Sequence, residues 1–226
     1  METVEYAPGR LVDLYGEPAH PTVLLWHGAQ TDARATLRPL AERVAGHGRA
    51  VVVPDWNSQA DDGGRADLLR SVHYAGRRTD AADGIVLVGW SLGGVAAAGL
   101  TLHARRFDIH LVHTVCLAGA FVAPDPISGG DVYTMLSVDA ERSPFTLLHG
   151  IADDVVPAPV SRAFASALDE NHWPFEFVEL TADHATIAGA SYDPVAGRYS
   201  AGRTPEALAV AADVAARIAA AHPSVN

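Results

Sequence analysis

Six short apolar runs recur along the chain, each bounded by turn-forming or polar residues: TVLLWHG, AVVVPDW, GIVLVGWS, LVHTVCLAGA, PFTLLHG and PFEFVEL. Apolar runs of this length predict strands, and the partly β-branched run Ile85 to Val88 predicts one that is fully buried. Helix candidates lie between them, near Ala33 to Ala45, Arg65 to Arg77, Leu92 to Ala104, Pro157 to Asp169 and Thr204 to Ala221. Strand and helix therefore alternate, which predicts an α/β architecture: a doubly wound, mostly parallel sheet with helices on both faces. GRLVDLY is expected to add an antiparallel edge strand, and SYDPVAGRYSAGRTP to form a long polar loop before the last helix. The chain shows no internal repeat or linker, and 226 residues, about half of them apolar, fit one domain spanning 1–226.

One predicted strand ends in a polar interruption. In GIVLVGWSLGGVAAAGL, residues 84–100, Ser91 stands between the buried run Ile85 to Val88 and an Ala-rich helix from Val95 onward, with Gly89 and Gly93 two residues to either side. This is the G-x-S-x-G pattern of a nucleophile elbow. Glycines remove the collisions that side chains would make in so tight a turn, and the serine is left pointing out of the sheet's end. The bare pattern also arises by chance, or from a serine capping an ordinary helix. The strand before it and the helix after it favour the nucleophile.

A serine hydroxyl is a weak nucleophile until a base takes its proton, so a histidine oriented by a carboxylate is needed. Ligands of parallel sheets bind beyond the carboxyl ends of the strands, and that rule selects among eleven histidines. His184, in ELTADHATIAG, directly follows the last predicted strand. His27 and His149 end strands before Gly28 and Gly150, His110 and His113 enter a strand from its other end, and His172 precedes its strand. His20, His47, His73, His103 and His222 fall in loops, in helices or ahead of the first parallel strand. All of these read as surface or structural histidines. For the carboxylate, Asp153 and Asp154 in LLHGIADDVVPAPVSRAFASAL follow a strand and lie between Ser91 and His184 in chain order; either fits. Asp125, Asp131 and Asp139 share that interval, but no strand leads directly into them, and Asp183 is expected to point away from its neighbour His184.

On these residues the chain resembles the α/β-hydrolase superfamily, over essentially its whole length. The order Ser91, Asp153, His184 is the order of that superfamily's catalytic triad. HGIADDVVP is similar to its H-G-x-x-D-x-x-V-P segment, in which the first aspartate carries the triad role, so the resemblance implies Asp153 and not Asp154. LLWHGAQTDA resembles its H-G-x oxyanion loop, which implies backbone N–H donors from Leu92 and Ala29. The loop reads H-G-A-Q and not H-G-G-G, so Gln30 is an alternative to Ala29. The resemblance implies no metal and no organic cofactor. Many members insert a helical lid after the strand ending near Ala120. Here FVAPDPISGGDVYTMLSVDAERS is short and broken by Pro and Gly, so no large cap is expected and the site should be open. Gln30, Trp56, Trp90 and Phe121, with Tyr133 and Met135, are candidates for lining a substrate pocket, while Trp26, inside a strand, is expected in the core. Serine at the elbow argues against epoxide hydrolases and haloalkane dehalogenases of the same fold, which carry aspartate there, and the small lidless dienelactone hydrolases carry cysteine.

Charge narrows the partners. A formal net charge of −11 argues against nucleic acid or an anionic membrane as the main partner, since phosphate binding needs a basic surface. No run is long enough to span a bilayer, and METVEYAPGR resembles neither a signal nor a transit peptide. Cys116, the single cysteine, can form no internal disulfide and is expected as a buried thiol, in keeping with a reducing, cytoplasmic setting. The sequence thus reads as a serine carboxylesterase acting on small-molecule esters of short or medium acyl chain. A peptidase, thioesterase or acyl transferase uses the same triad, and a non-catalytic binding protein can keep the fold, so sequence alone leaves these alternatives open.

Overall fold

The computed structural model of the protein describes residues 1–18, 21–79, 83–136 and 142–221. His20, Asp139 and His222, weighed above, and positions 137–141 of the connector lie outside the described residues. An N-terminal hairpin, β1 (Glu2–Ala7) and β2 (Arg10–Tyr15), precedes the strands β3 (Thr22–Trp26), β4 (Val51–Pro54), β5 (Ile85–Trp90), β6 (Leu111–Leu117), β7 (Phe145–Gly150) and β8 (Phe175–Leu180). All eight join one sheet in the order β1-β2-β4-β3-β5-β6-β7-β8. β2 is antiparallel to both neighbours, and the strands from β4 to β8 run parallel. GRLVDLY is antiparallel as expected, but it is not the edge. TVEYA, turned back by Pro8 and Gly9 (φ +72°), covers it as β1.

Successive side chains of a strand face opposite sides of the sheet, and here both sides are apolar. Val23, Leu25, Val51, Val53, Val86 and Val88 pack with α1 (Arg38–Gly46) and with the final helix, while Leu24, Trp26, Val52, Ile85 and Leu87 face α2 (Arg65–Gly76) and α3 (Leu92–His103). A third cluster joins α3 to the short α4 (Val132–Met135) and to α5 (Pro159–Glu170) through Val95, Cys116, Phe121, Phe145 and Phe164. Trp26 is fully buried, and Cys116 is a core thiol whose ionisation is pushed up by burial.

The helix starts shift where proline sets them. The segment expected as a helix from Ala33 opens as a 3-10 turn, Arg34–Leu37, and becomes α-helical with Pro39 in the first turn; α5 likewise begins at Pro159. The region expected as a polar loop is instead a hairpin, β9 (Ala190–Asp193) against β10 (Arg198–Ala201), followed by α6 (Pro205–Ala220). Asp193 accepts from Val195 N–H (2.9 Å) and Ala196 N–H (3.1 Å), and Gly197 at φ +61° completes the turn. Among the described residues the connector after β6 holds only the one-turn α4. Asp125 braces it by accepting from Ile127 N–H at 2.6 Å while lying against Gly99 of α3, where any Cβ would overlap the carboxylate. No helix among the described residues is long and apolar enough to cross a membrane.

Candidate active site

Four loops meet beyond the carboxyl ends of the parallel strands, and each brings one part of the site. Ser91 follows β5 with φ 57° and ψ −118°, a conformation that costs a non-glycine residue about 1–3 kcal/mol. The surrounding hydrogen bonds hold it there: Ser91 N–H donates to Leu117 O (2.9 Å), and Ser91 O accepts from Gly94 N–H (2.9 Å) and Ala120 N–H (3.1 Å). A Cβ on Gly89 would overlap the Gly93 carbonyl, and one on Gly93 would overlap the His27 carbonyl. The two glycines therefore let the first turn of α3 lie directly on the strand ends, which explains their spacing about the serine.

Asp153 follows β7. Its Oδ1 accepts from Val155 N–H (2.9 Å) and Val156 N–H (2.8 Å), and its Oδ2 lies 2.8 Å from His184 Nδ1. Burial alone would raise this carboxyl. The hydrogen bonds from His184 and Val156 N–H, the nearby N–H of His149 and the attraction of His184 outweigh it and hold the group well below the usual carboxylate range. An ionised carboxylate only accepts, so His184 Nδ1 carries the proton and Nε2 is left as the basic nitrogen. Asp154 takes no part in this pair; it is exposed on the rim of the cleft.

His184 follows β8 and is buried between two aromatic rings, Trp90 (centroids 5.4 Å apart) and Tyr199 (6.0 Å). Trp90 Nε1 donates to His184 O at 2.8 Å, so the residue before the serine also anchors the histidine's backbone. Asp183, expected to point away, lines the cleft beside His184, with its Oδ1 accepting from Ala185 N–H (2.9 Å) and Thr186 N–H (2.7 Å), which shapes the loop.

The loop after β3 is pinned one peptide at a time. His27, fully buried, accepts at Nε2 from Ala33 N–H and Trp56 N–H (both 3.3 Å), so its proton sits on Nδ1, 2.8 Å from Gly28 O. Burial, with a smaller push from Arg34, lowers this histidine to about 4 against the opposing bond to Gly28. Because the C=O and N–H of a trans peptide point in opposite directions, a fixed Gly28 O also fixes the direction of Ala29 N–H. Ser58 Oγ does the same for the next peptide, donating to Ala29 O at 2.5 Å and so setting Gln30 N–H. Among the described residues, none of the N–H groups of Ala29, Gln30 and Leu92 is used in a hydrogen bond.

These loops enclose an open cleft of about 570 Å³, lined by Gly28, Ala29, Gln30, Trp90, Ser91, His184 and residues of the β9–β10 hairpin. Four expected pocket residues, Trp56, Phe121, Tyr133 and Met135, are elsewhere, Met135 packing against the third core cluster. Trp56 is fully buried, stacked on His27 (5.3 Å) with Nε1 donating to His27 O, so it supports the loop from behind. Phe121 is buried against Phe164 (4.0 Å) and borders, with Tyr133, a separate cavity beside the connector. Gln30 reaches the cleft, but its amide is engaged with both backbone groups of Tyr199, Nε2 donating to the carbonyl at 3.1 Å and Oε1 accepting from the N–H. Tyr192 and Tyr199, absent from the sequence-based candidates, form the wall of the cleft. Their signal was the alternation on both sides of Asp193 to Gly197, which places them directly opposite each other. Among the described residues no group of three or more His, Cys, Asp or Glu side chains could hold a metal ion.

The strand order, the single antiparallel strand near one edge and the serine corner after β5 are those of the α/β-hydrolase fold without a large cap. The sequence matches no protein-family model, and no curated protein matches it. Solved structures share the architecture. Esterase B from Lactobacillus rhamnosis in an inhibited form aligns with 93% of this chain and 82% of its own, with a TM-score of 0.68 at 17% identity. Esterase 2 from Thermogutta terrifontis, phosphorylated by paraoxon, aligns with 81% of this chain and 83% of its own (TM-score 0.65, 20% identity). The same enzyme with propionate bound aligns with 82% and 85% (TM-score 0.64, 20% identity). At these identities the likeness is one of fold.

Proposed function

We propose that this protein is a serine hydrolase that cleaves carboxylic esters of short or medium acyl chain through an acyl-enzyme. The observation that carries the reading is the 2.8 Å bond between His184 Nδ1 and a strongly ionised Asp153, in the same cleft as a serine held at a strained strand-to-helix corner. Ser91 Oγ attacks the ester carbonyl as His184 Nε2 takes its proton. Asp153 stays ionised, fixes the ring's tautomer and stabilises the imidazolium. The oxyanion accepts from Leu92 N–H, at the start of α3, and from Ala29 N–H, whose peptide is oriented by neutral His27. Collapse expels the alcohol with the proton from His184, and water then repeats the sequence on the acyl-enzyme.

The short-chain preference rests on the open cleft and the small connector, and the esterase neighbour that holds propionate supports it. A series of p-nitrophenyl esters from acetyl to palmitoyl tests it. Each methylene buried contributes about 0.8 kcal/mol, roughly fourfold in kcat/KM, so the series should rise over the first few carbons and then level off. A maximum at the longest chains, or a jump in rate beyond the solubility limit, contradicts the proposed size range.

A further inference from the structure

His149 is a fully buried histidine that the mechanism above does not use. It sits near the end of β7, four residues before Asp153. Its Nε2 is 2.8 Å from Val156 O, and a carbonyl only accepts, so this nitrogen carries the proton. The same nitrogen lies 3.4 Å from Asp153 Oδ2, beyond its direct bond to Val156 O but near enough for its N–H to face both oxygens. Its Nδ1 is 2.7 Å from Ser161 Oγ, a buried hydroxyl on α5 that donates to it when the ring is neutral. Asp153 Oδ2 is therefore flanked by two imidazole N–H groups, His184 on the cleft side and His149 on the core side, while the Val155 and Val156 N–H groups occupy Oδ1. A buried polar ring costs desolvation that an apolar side chain of the same size would not, so volume alone does not account for it.

We propose that His149 is a positioning residue for Asp153: its Nε2–H, shared between Val156 O and Asp153 Oδ2, holds the plane of the carboxylate and the turn that carries it, so that Oδ2 stays aimed at His184. The inference rests on the proposed roles of Ser91, His184 and Asp153. It predicts a dependence on which ring nitrogen is replaced. His149→Gln puts an amide N–H near the position of Nε2 and keeps the donor; His149→Asn keeps a polar group near Nδ1, within reach of Ser161, and loses the donor. Loss of one hydrogen bond to a charged group should lower kcat by about tenfold in His149→Asn with KM nearly unchanged, and His149→Gln should restore most of it. Wild-type kcat in His149→Asn, or an equal fall in both variants, overturns the proposal.

A second measurement needs no variant. Nitrogen-15 histidine spectra of the wild-type protein should show His149 protonated at Nε2, and a proton on Nδ1 alone would overturn the proposal by leaving no donor facing Asp153. Ser91→Ala and His184→Ala separate the two levels of the account. If both are inactive while His149→Asn is normal, only this inference falls; if Ser91→Ala remains active, the triad itself falls.

Discussion

Asp153 and Asp154 are chemically identical neighbours, and the structure gives them opposite surroundings: four N–H donors around one, solvent around the other. Asp153→Asn should therefore lower kcat by about four powers of ten by spoiling the tautomer of His184, whereas Asp154→Asn should change it less than about threefold; pre-steady-state turnover of a p-nitrophenyl ester measures both, and the reverse ranking would transfer the acid role. Ser91 and His184 stood out as candidates in the sequence because each follows a strand, a short-range pattern; that pattern left Asp153 and Asp154 open, since both follow the same strand, and only the resemblance to the H-G-x-x-D-x-x-V-P segment favoured Asp153. The work of His27 and His149 was not. Both read as structural histidines, and they are buried ones, but their hydrogen-bond partners come from residues such as Trp56 and Ser161 whose nearness only the fold creates. Trp90 shows the same limit: adjacency to Ser91 suggested a pocket residue, while its bond to His184 O spans 94 positions in sequence.

Among the elements, β3 to β7 were readable because buried parallel strands are nearly continuous apolar runs bounded by turn signals, and β8, half-exposed at the sheet's edge, because Phe and Val favour strands. The two hairpins were harder. β1 is largely exposed, and β9 and β10 are short and mostly exposed, so none forms a continuous apolar run. The β9–β10 hairpin walls the cleft: Tyr199 packs edge-on against Trp90 (5.0 Å), Tyr192 packs on Tyr199 (4.9 Å), and Gln30 ties the strand to the loop after β3. Replacing Tyr192 by Ala should extend the chain-length profile of kcat/KM by two or so carbons, on the scale of about fourfold per methylene, while leaving acetyl ester turnover within about threefold of normal. Equal losses at all chain lengths would show that the hairpin supports His184 and does not select the acyl group.

For the whole molecule, His27, fully buried, and His113, partly buried, set a pH dependence of stability that is separate from catalysis. His27 and His113 are both lowered to about 4 by burial, so each is neutral in the fold while the unfolded chain takes up its proton near 6.5. Between about pH 6.5 and 4 the unfolded state binds more protons, so stability is greatest above this window and falls as pH drops through it, by up to about 1.4 kcal/mol per pH unit for each histidine. Asp153 acts in a lower window. Its carboxyl is depressed, so its contribution is intact above the ordinary carboxylate value near 4 and is lost only as pH falls further. Urea unfolding at pH 7, 5.5 and 4.5 should show a falling midpoint, with a shallower fall in His113→Gln; a flat profile across this range would contradict the burial of both rings.

The same intact protein carries the test of the central claim, that Ser91 is an activated nucleophile. Treated with paraoxon at a small molar excess, it should gain the mass of a single diethyl phosphoryl group, mapped by peptide analysis to Ser91, as esterase activity is lost in proportion. No adduct, an adduct on another residue, or full activity after Ser91 is modified would contradict the account.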